Sequence, residues 1–469
     1  MKKSMLALSV ITVASLLSLV GCGNNSSSSA PEGKVINIEC WNDEFQQRFE
    51  AFYPDFDKTV KAADGSSYDL LKDGTKVNFL ITANDNNGYQ TKLDADLKAQ
   101  GDAATDDKVD MFLIEADYAT KYTATDYTLD VQGDVGLSAS DVSNMYQYTK
   151  DICTVNGKLK AVSWQATPGL YAYRRDLAKD ILGSDDPATV QAALSDWTKF
   201  DSVAAQAKAK GVYMLSGYDD AYRVYSNNMA KPWVDSNKVV HLDDQIKGWI
   251  KATKSYTDSK YNDGTSLWDT QWQKNQGPHG DKVFGYFYST WGINFTLAGN
   301  ADPDKLGNVG DVSKSLYGDY AVCQGPASWY WGGSWLCGAK GSDNIGKVKD
   351  IMQKMTCNQE IADKITRKTQ DYTNNIPAMN AIAADKTYGS EFLGGQNHIA
   401  LFKENAAKIS MKNACAYDQG CNEQMQGAMK DFFNGTTATL ADAIAAFKTK
   451  LNAKYTGLTY DSSFDNVTL

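Results

Sequence analysis

The chain predicts an α/β fold, with a parallel sheet at its start and a second α/β unit after it, and three observations carry that expectation. Strand-like apolar runs alternate with helical patterns from Val35 to Ile114; a fresh βα rhythm begins near Thr167-Pro168-Gly169; and the C-terminal end carries helix stripes. The first strand is Val35-Ile36-Asn37-Ile38-Glu39-Cys40. It is followed by a helix pattern with Phe45, Phe49 and Phe52 that stops near Pro54. A second strand spans Val77 to Thr82, a helix lies around Tyr89 to Ala99, and the continuous apolar run Val109 to Ile114 reads as a buried strand. Such alternation implies right-handed βαβ units, whose ligand crevices form outside the carboxyl ends of the strands. The residues at those ends are Trp41-Asn42-Asp43, Asn84-Asp85 and Glu115-Ala116-Asp117.

In the second unit, Trp197, Phe200, Val203, Ala204 and Ala207 recur at helical spacing. Gly211 is placed to end that helix, and Val212 to Leu215 reads as the next strand. Near the C-terminus, Met425, Met429 and Phe432 mark a helix stopped by Asn434-Gly435. Leu440, Ala443, Ile444, Phe447 and Leu451 mark another, with Thr439 and Asp442 in capping-box spacing. These stripes read as core faces. Trp197, Trp249 and Trp268 also read as structural.

Ahead of the first strand, Lys2 and Lys3 precede an apolar run from Met5 to Val20 that is too short to span a bilayer, the pattern of a secretion signal over residues 1–21. Leu19-Val20-Gly21-Cys22 resembles the lipobox of bacterial lipoproteins, which implies a lipid on Cys22. Residues 22–33, with Ser26 to Ser29, read as the flexible tether such an anchor needs. No later stretch is apolar for long enough to form a transmembrane helix. The net charge of −10 becomes −12 once Lys2 and Lys3 are removed with the signal, which opposes nucleic-acid binding. Seven further cysteines include no C-x-x-C pair, so neither a zinc site nor a thioredoxin-like motif is supported. Cys415 with Cys421, or Cys323 with Cys337, is close enough in sequence to bridge; mostly buried thiols are expected. The three histidines, His241, His279 and His398, are scattered, which gives no support to metal or Ser-His chemistry.

The order of segments resembles the carbohydrate-specific solute-binding proteins of ABC importers, family 1, the group that includes maltose-binding protein. Lys108 to Asp117 is similar to the strand before the first ligand loop, and Ala161 to Leu177 to the crossing into a second lobe. Asp196-Trp197 resembles the start of the tryptophan-led helix, and Ser289-Thr290-Trp291 the segment that presents a sugar-stacking tryptophan. Gln324 to Trp335 resembles the return to the first lobe, Asn375 to Ala378 the third crossing, and Phe433-Asn434-Gly435 onward the C-terminal end. The chain departs from the maltose type at Ile114 and Glu115, where a tryptophan often stands, so ring positions do not transfer.

The resemblance implies a two-lobed, type II periplasmic-binding-protein-like fold with three crossings and a ligand cleft between the lobes. Lobe one would comprise 34–166 and 328–377, and lobe two 167–327 and 378–469. Hinges are expected near Ala166 to Gly169, Pro326 to Ser328 and Pro377 to Ala378. It also implies a monomer without cofactor or metal, lipid-anchored outside the cell membrane, that hands a carbohydrate to permease subunits. A sugar offers C–H faces that pack on aromatic planes and hydroxyls that need fixed polar partners. With 11 Trp and 26 Tyr, the chain has the stock for this. The candidate ligand residues are Trp41, Asn42, Asp43, Glu115, Asp117, Trp164, Trp291, Tyr330, Trp331 and Gln396. The competing readings are a peptide, polyamine or metal chelate on the same scaffold, or a secreted glycoside hydrolase, which would need two acids at a set separation.

Overall fold

Strand Val35–Cys40 sits inside a seven-stranded sheet: Ile36, Ile38 and Cys40 bury one apolar face, while Asn37 and Glu39 on the other face are buried polar groups. The structure is a computed structural model that describes residues 32–306, 310–465 and 467–469. Cys22, the signal and most of the tether lie outside the described residues. Val35–Cys40 pairs in parallel with Lys76–Ile81 on one side and with Met111–Glu115 on the other. Helix Glu44–Phe52 packs through Phe45 and Phe49, and helix Gly88–Ala99 through Tyr89, Leu93 and Leu97.

The sheet is mixed rather than purely parallel. An antiparallel hairpin, Phe56–Lys61 with Ser67–Leu71, extends one edge. It turns at Asp64-Gly65, with Gly65 in the left-handed region at φ 88°. At the other side Ser334–Gly338 runs antiparallel to Met111–Glu115 and carries Val162–Ser163 beyond it.

The second lobe departs further from the parallel expectation. Its main sheet has Gly169–Arg174 at the centre, antiparallel to Gly285–Ser289 and to Tyr320–Cys323. The short pairs Leu215–Gly217 with Asn262–Thr265 and Val239–Val240 with Thr459–Tyr460 are parallel. Helix Trp197–Ala209 buries Phe200, Val203, Ala204 and Ala207, starts where Asp196 accepts the Lys199 N–H, and ends before Gly211 at φ 71°. Helices Asp418–Phe433 and Leu440–Lys454 follow, the latter capped by Thr439 accepting the Asp442 N–H at 3.1 Å.

The crossings lie side by side. Gly169 N–H donates to Trp329 O at 2.7 Å and Trp331 N–H to Thr167 O at 3.2 Å. On the other flank Ala166 N–H donates to Tyr372 O at 3.0 Å and Asn374 N–H to Trp164 O at 2.9 Å. Residues 164–169 are thus paired antiparallel with 329–331 and with 372–374. The third crossing therefore precedes Pro377. That proline begins helix Ile376–Ala384, where its missing N–H costs nothing and Asn375 caps the Ala378 N–H. Proline here starts a helix instead of marking a hinge.

All seven cysteines among the described residues are free. Cys323 and Cys337 lie in different sheets, and the Cys415 thiol donates to Asp418 at 3.0 Å, so neither of the two possible bridges forms and the thiols are mostly buried, as expected. Among the described residues, no helix is long and apolar enough to cross a membrane.

Candidate ligand-binding cleft

Where strand Val35–Cys40 leaves the sheet, the chain delivers Trp41, Asn42 and Asp43 to the edge of a cavity of about 620 Å³. Glu115 and Asp117 arrive from the neighbouring strand end, as the carboxyl-end rule requires. Trp41 is half-buried, edge-on to Tyr89 and Tyr118 at 5.8 and 6.2 Å. The opposite wall carries Arg223, Thr290, Trp291, Asn294 and Phe295, and the crossings supply Gln165, Trp331 to Ser334 and Asp371.

Charge across the cleft is tightly arranged. Asp117 and Arg223 meet as a two-pronged pair, Nη1 to Oδ1 at 2.9 Å and Nη2 to Oδ2 at 2.7 Å, tying the end of the first-lobe strand to helix Tyr222–Ser226 of the second. Burial works to raise the Asp117 carboxyl, but the Arg223 charge and its hydrogen bonds outweigh it and hold the group below its ordinary value. Glu115, two residues earlier, is pushed up to about 8, first by burial and then by the Asp117 charge. It accepts the Asp117 N–H at 2.7 Å. Glu44 is raised to about 7 by burial and by the neighbouring Asp371. Gln165 links those two acids, donating to both at 3.0 Å, while Thr290 donates to Asp371 at 2.7 Å.

Four buried polar atoms on this lining have no hydrogen-bond partner among the described residues: Arg48 Nε, Asn84 Oδ1, Tyr118 Oη and Asn294 Nδ2. A buried donor or acceptor left unpaired costs free energy, so each is a group awaiting a partner.

The aromatic side is built around Gly332 and Gly333, both left-handed at φ 71° and 113°. A Cβ on Gly332 would lie 3.1 Å from Trp291 Nε1. That clearance lets the Trp291 indole donate to Trp331 O at 2.9 Å. Trp331 is only 7% exposed. Its ring is hemmed in by Tyr288, by Trp291 edge-on at 5.2 Å and by the Arg223 guanidinium at 5.2 Å. It therefore positions Trp291, which keeps the more open surface.

Seven of the ten expected ligand residues thus meet in one cleft: Trp41, Asn42, Asp43, Glu115, Asp117, Trp291 and Trp331. Three do not line it. Trp164 is 2% exposed under the Arg48 guanidinium, packed into the first crossing. Tyr330 faces a smaller cavity of about 190 Å³ that shares Asp117 and Arg223 with the cleft. Gln396 clamps the edge of strand Tyr320–Cys323, accepting from Val322 N–H and donating to Val322 O, both at 2.8 Å. Reading from sequence missed Arg48, Arg223, Asn294, Phe295 and Asp371. Arg223 and Asp371 sit in a short helix and a crossing with no periodic signal, whereas Arg48 follows Phe45 by three positions, on a helix the pattern did reveal.

The model of the bacterial extracellular solute-binding protein family matches residues 69–391. The chain belongs to that family. Solved solute-binding proteins share its fold at low identity. A crystal structure of an extracellular solute-binding protein of family 1 superposes with TM-score 0.68 at 16% identity, covering 90% of this chain and 98% of that one. The galacto-N-biose/lacto-N-biose I-binding protein of the Bifidobacterium longum ABC transporter, in complex with lacto-N-biose, gives 0.64 at 14%, covering 92% and 100%. The ABC transporter associated binding protein of B. animalis subsp. lactis Bl-04, in complex with β-1,6-galactobiose, gives 0.61 at 16%, covering 91% and 99%. No curated protein matches the sequence. This solute-binding protein shares their mixed α/β fold.

Proposed function

We propose that the protein captures a sugar or oligosaccharide in this cleft and delivers it to the permease subunits of an ABC importer, while held as a monomer at the outer face of the cell membrane by a lipid on Cys22. The observation that carries the reading is the meeting of the Trp291 indole with unpartnered Arg48 Nε, Asn84 Oδ1 and Asn294 Nδ2 in one cavity. That combination matches a ring with an apolar C–H face and a fence of hydroxyls. The Glu115 carboxyl, raised to about 8 by burial and the Asp117 charge, holds its proton far above the ordinary carboxylate range and so can donate to a hydroxyl as well as accept from one. The cavity volume lies within the range of small-molecule sites, about 300–1,000 Å³. Two of the fold relatives are bound to disaccharides, lacto-N-biose and β-1,6-galactobiose.

A cationic solute such as a polyamine is the second reading, because Asp43, Glu44, Glu115, Asp117, Asp371 and Glu423 line the cleft against Arg48 and Arg223 alone. It is weakened by the raised values of Glu44 and Glu115 and by the pairing of Asp117 with Arg223.

A thermal-shift panel of oligosaccharides, peptides and polyamines, followed by calorimetry and chromatography, tests the reading. A ligand at 100 times its Kd adds about 2.7 kcal/mol of stability. The expected outcome is stabilisation by an oligosaccharide that is recovered unchanged. Stabilisation by polyamines alone would move the assignment to the second reading, and sugar breakdown would make the protein a hydrolase.

A further inference from the structure

Trp268 reads as a packing residue from its place in the sequence, but the structure leaves it half exposed, edge-on to buried Trp272, and on a strained backbone. It is 49% exposed, whereas Trp164, Trp233, Trp249, Trp272, Trp329 and Trp335 are fully buried. Its φ of 72° places it in the left-handed region, the only aromatic residue there among the described residues. Bulky side chains avoid that conformation, and such strain persists only where surroundings over-determine it. Here they do. Leu267 N–H donates to Asp219 at 3.0 Å, Ser266 N–H to Asp269 at 3.0 Å, and Gln273 Nε2 to Trp268 O at 3.2 Å.

What this clamped turn achieves is the placement of an indole. The Trp268 ring lies nearly parallel to Trp291, at 17° with centroids 6.3 Å apart, and 5.9 Å from Trp331. Both of those line the cleft, so Trp268 continues the aromatic surface outward beyond the cavity lining. One turn after Trp291, the π-helical segment Ile293–Leu297 holds Phe295 at 81% exposure, also on the cleft. Single π-helical turns recur at functional sites. Two large apolar side chains are thus left in water, Phe295 on the cleft wall and Trp268 against the cleft tryptophan Trp291, the latter at the expense of backbone strain.

We infer that Trp268 and Phe295 form an outer subsite, where the C–H face of a further ring of an oligosaccharide stacks while the inner rings occupy the cleft. The inference rests on the sugar reading above and narrows it: the ligand is an oligosaccharide longer than a disaccharide. An aromatic plane suits this task because stacking tolerates differences in hydroxyl pattern that hydrogen bonds do not.

The test is calorimetric titration of the parent, Trp268→Asn, Trp268→Tyr and Phe295→Ser with ladders of malto-, cello- and β-1,6-galacto-oligosaccharides, from disaccharide to hexasaccharide. Asparagine tolerates the left-handed conformation, so the first variant removes the indole without adding strain. In the ladder that binds, parent affinity should rise with chain length. Trp268→Asn should bind the disaccharide as the parent does and lose about tenfold for the longer members, the scale of one aromatic stacking contact. Trp268→Tyr should retain most of the gain. Phe295→Ser, on a different element, should lose more affinity for the longer members than for the disaccharide, which keeps the test open should Trp268→Asn fail to fold. Equal affinity of variants and parent at every length, or equal weakening at every length, would overturn the outer subsite while leaving sugar capture intact. If no ladder binds the parent, sugar capture fails and the subsite with it.

Discussion

Glu115 and Asp117 leave the same strand end two residues apart and titrate in opposite directions, because one meets Arg223 with both oxygens while the other is buried beside a like charge. For Glu115 the folded value of about 8 lies above its ordinary 4.5, so the folded protein holds this proton more tightly than the unfolded chain does. The stabilisation from that proton is complete below pH 4.5 and is lost as pH rises through about 8. Glu115→Gln removes the titration. Urea unfolding of the unliganded protein should therefore show the parent losing stability relative to the variant as pH rises across that window; a difference that stays flat with pH would contradict the assignment. At this scale the strand-end rule located Trp41, Asn42, Asp43, Glu115 and Asp117 from sequence, because a parallel strand fixes which end opens to the crevice. It gave no handle on Arg223, which reaches the cleft from a five-residue helix. Nor did composition separate Trp291, on the cleft, from Trp164, buried under Arg48.

Elements with a strong local signature were legible, and those defined by long-range pairing were not. Helix Trp197–Ala209 announces itself by its apolar period, the Asp196 cap and Gly211. The hairpin Phe56–Lys61 and Ser67–Leu71 is polar on its exposed face and lies at a sheet edge, so only Asp64-Gly65 marks it. The antiparallel order around Gly169–Arg174 follows from where the chain returns after long excursions, which no local pattern encodes. Gly169 itself shows how tightly the crossings pack: a Cβ there would lie 2.1 Å from the Trp329 ring. Gly169→Ala should therefore force Trp329 and its crossing apart and lower stability by about 1–3 kcal/mol, the scale of overpacking in a dense interior. Thermal and urea unfolding would read this, and a variant as stable as the parent would show that the crossings have slack.

Across the whole molecule, the three crossings at 164–169, 329–331 and 372–374 run side by side, and the Asp117–Arg223 pair joins the lobes on the cleft side. A ligand touching Trp41 and Glu115 on one wall and Trp291 and Asn294 on the other would make its full set of contacts only when the walls are close, and so must favour closure. The proline at 377 misled the sequence reading by three residues, because proline serves a helix start as well as a hinge. The most direct measurement of closure is small-angle scattering of the protein with and without an oligosaccharide whose binding calorimetry has established. A smaller radius of gyration at saturating sugar is the predicted result; an unchanged radius would contradict capture by closing lobes and indicate a preformed pocket.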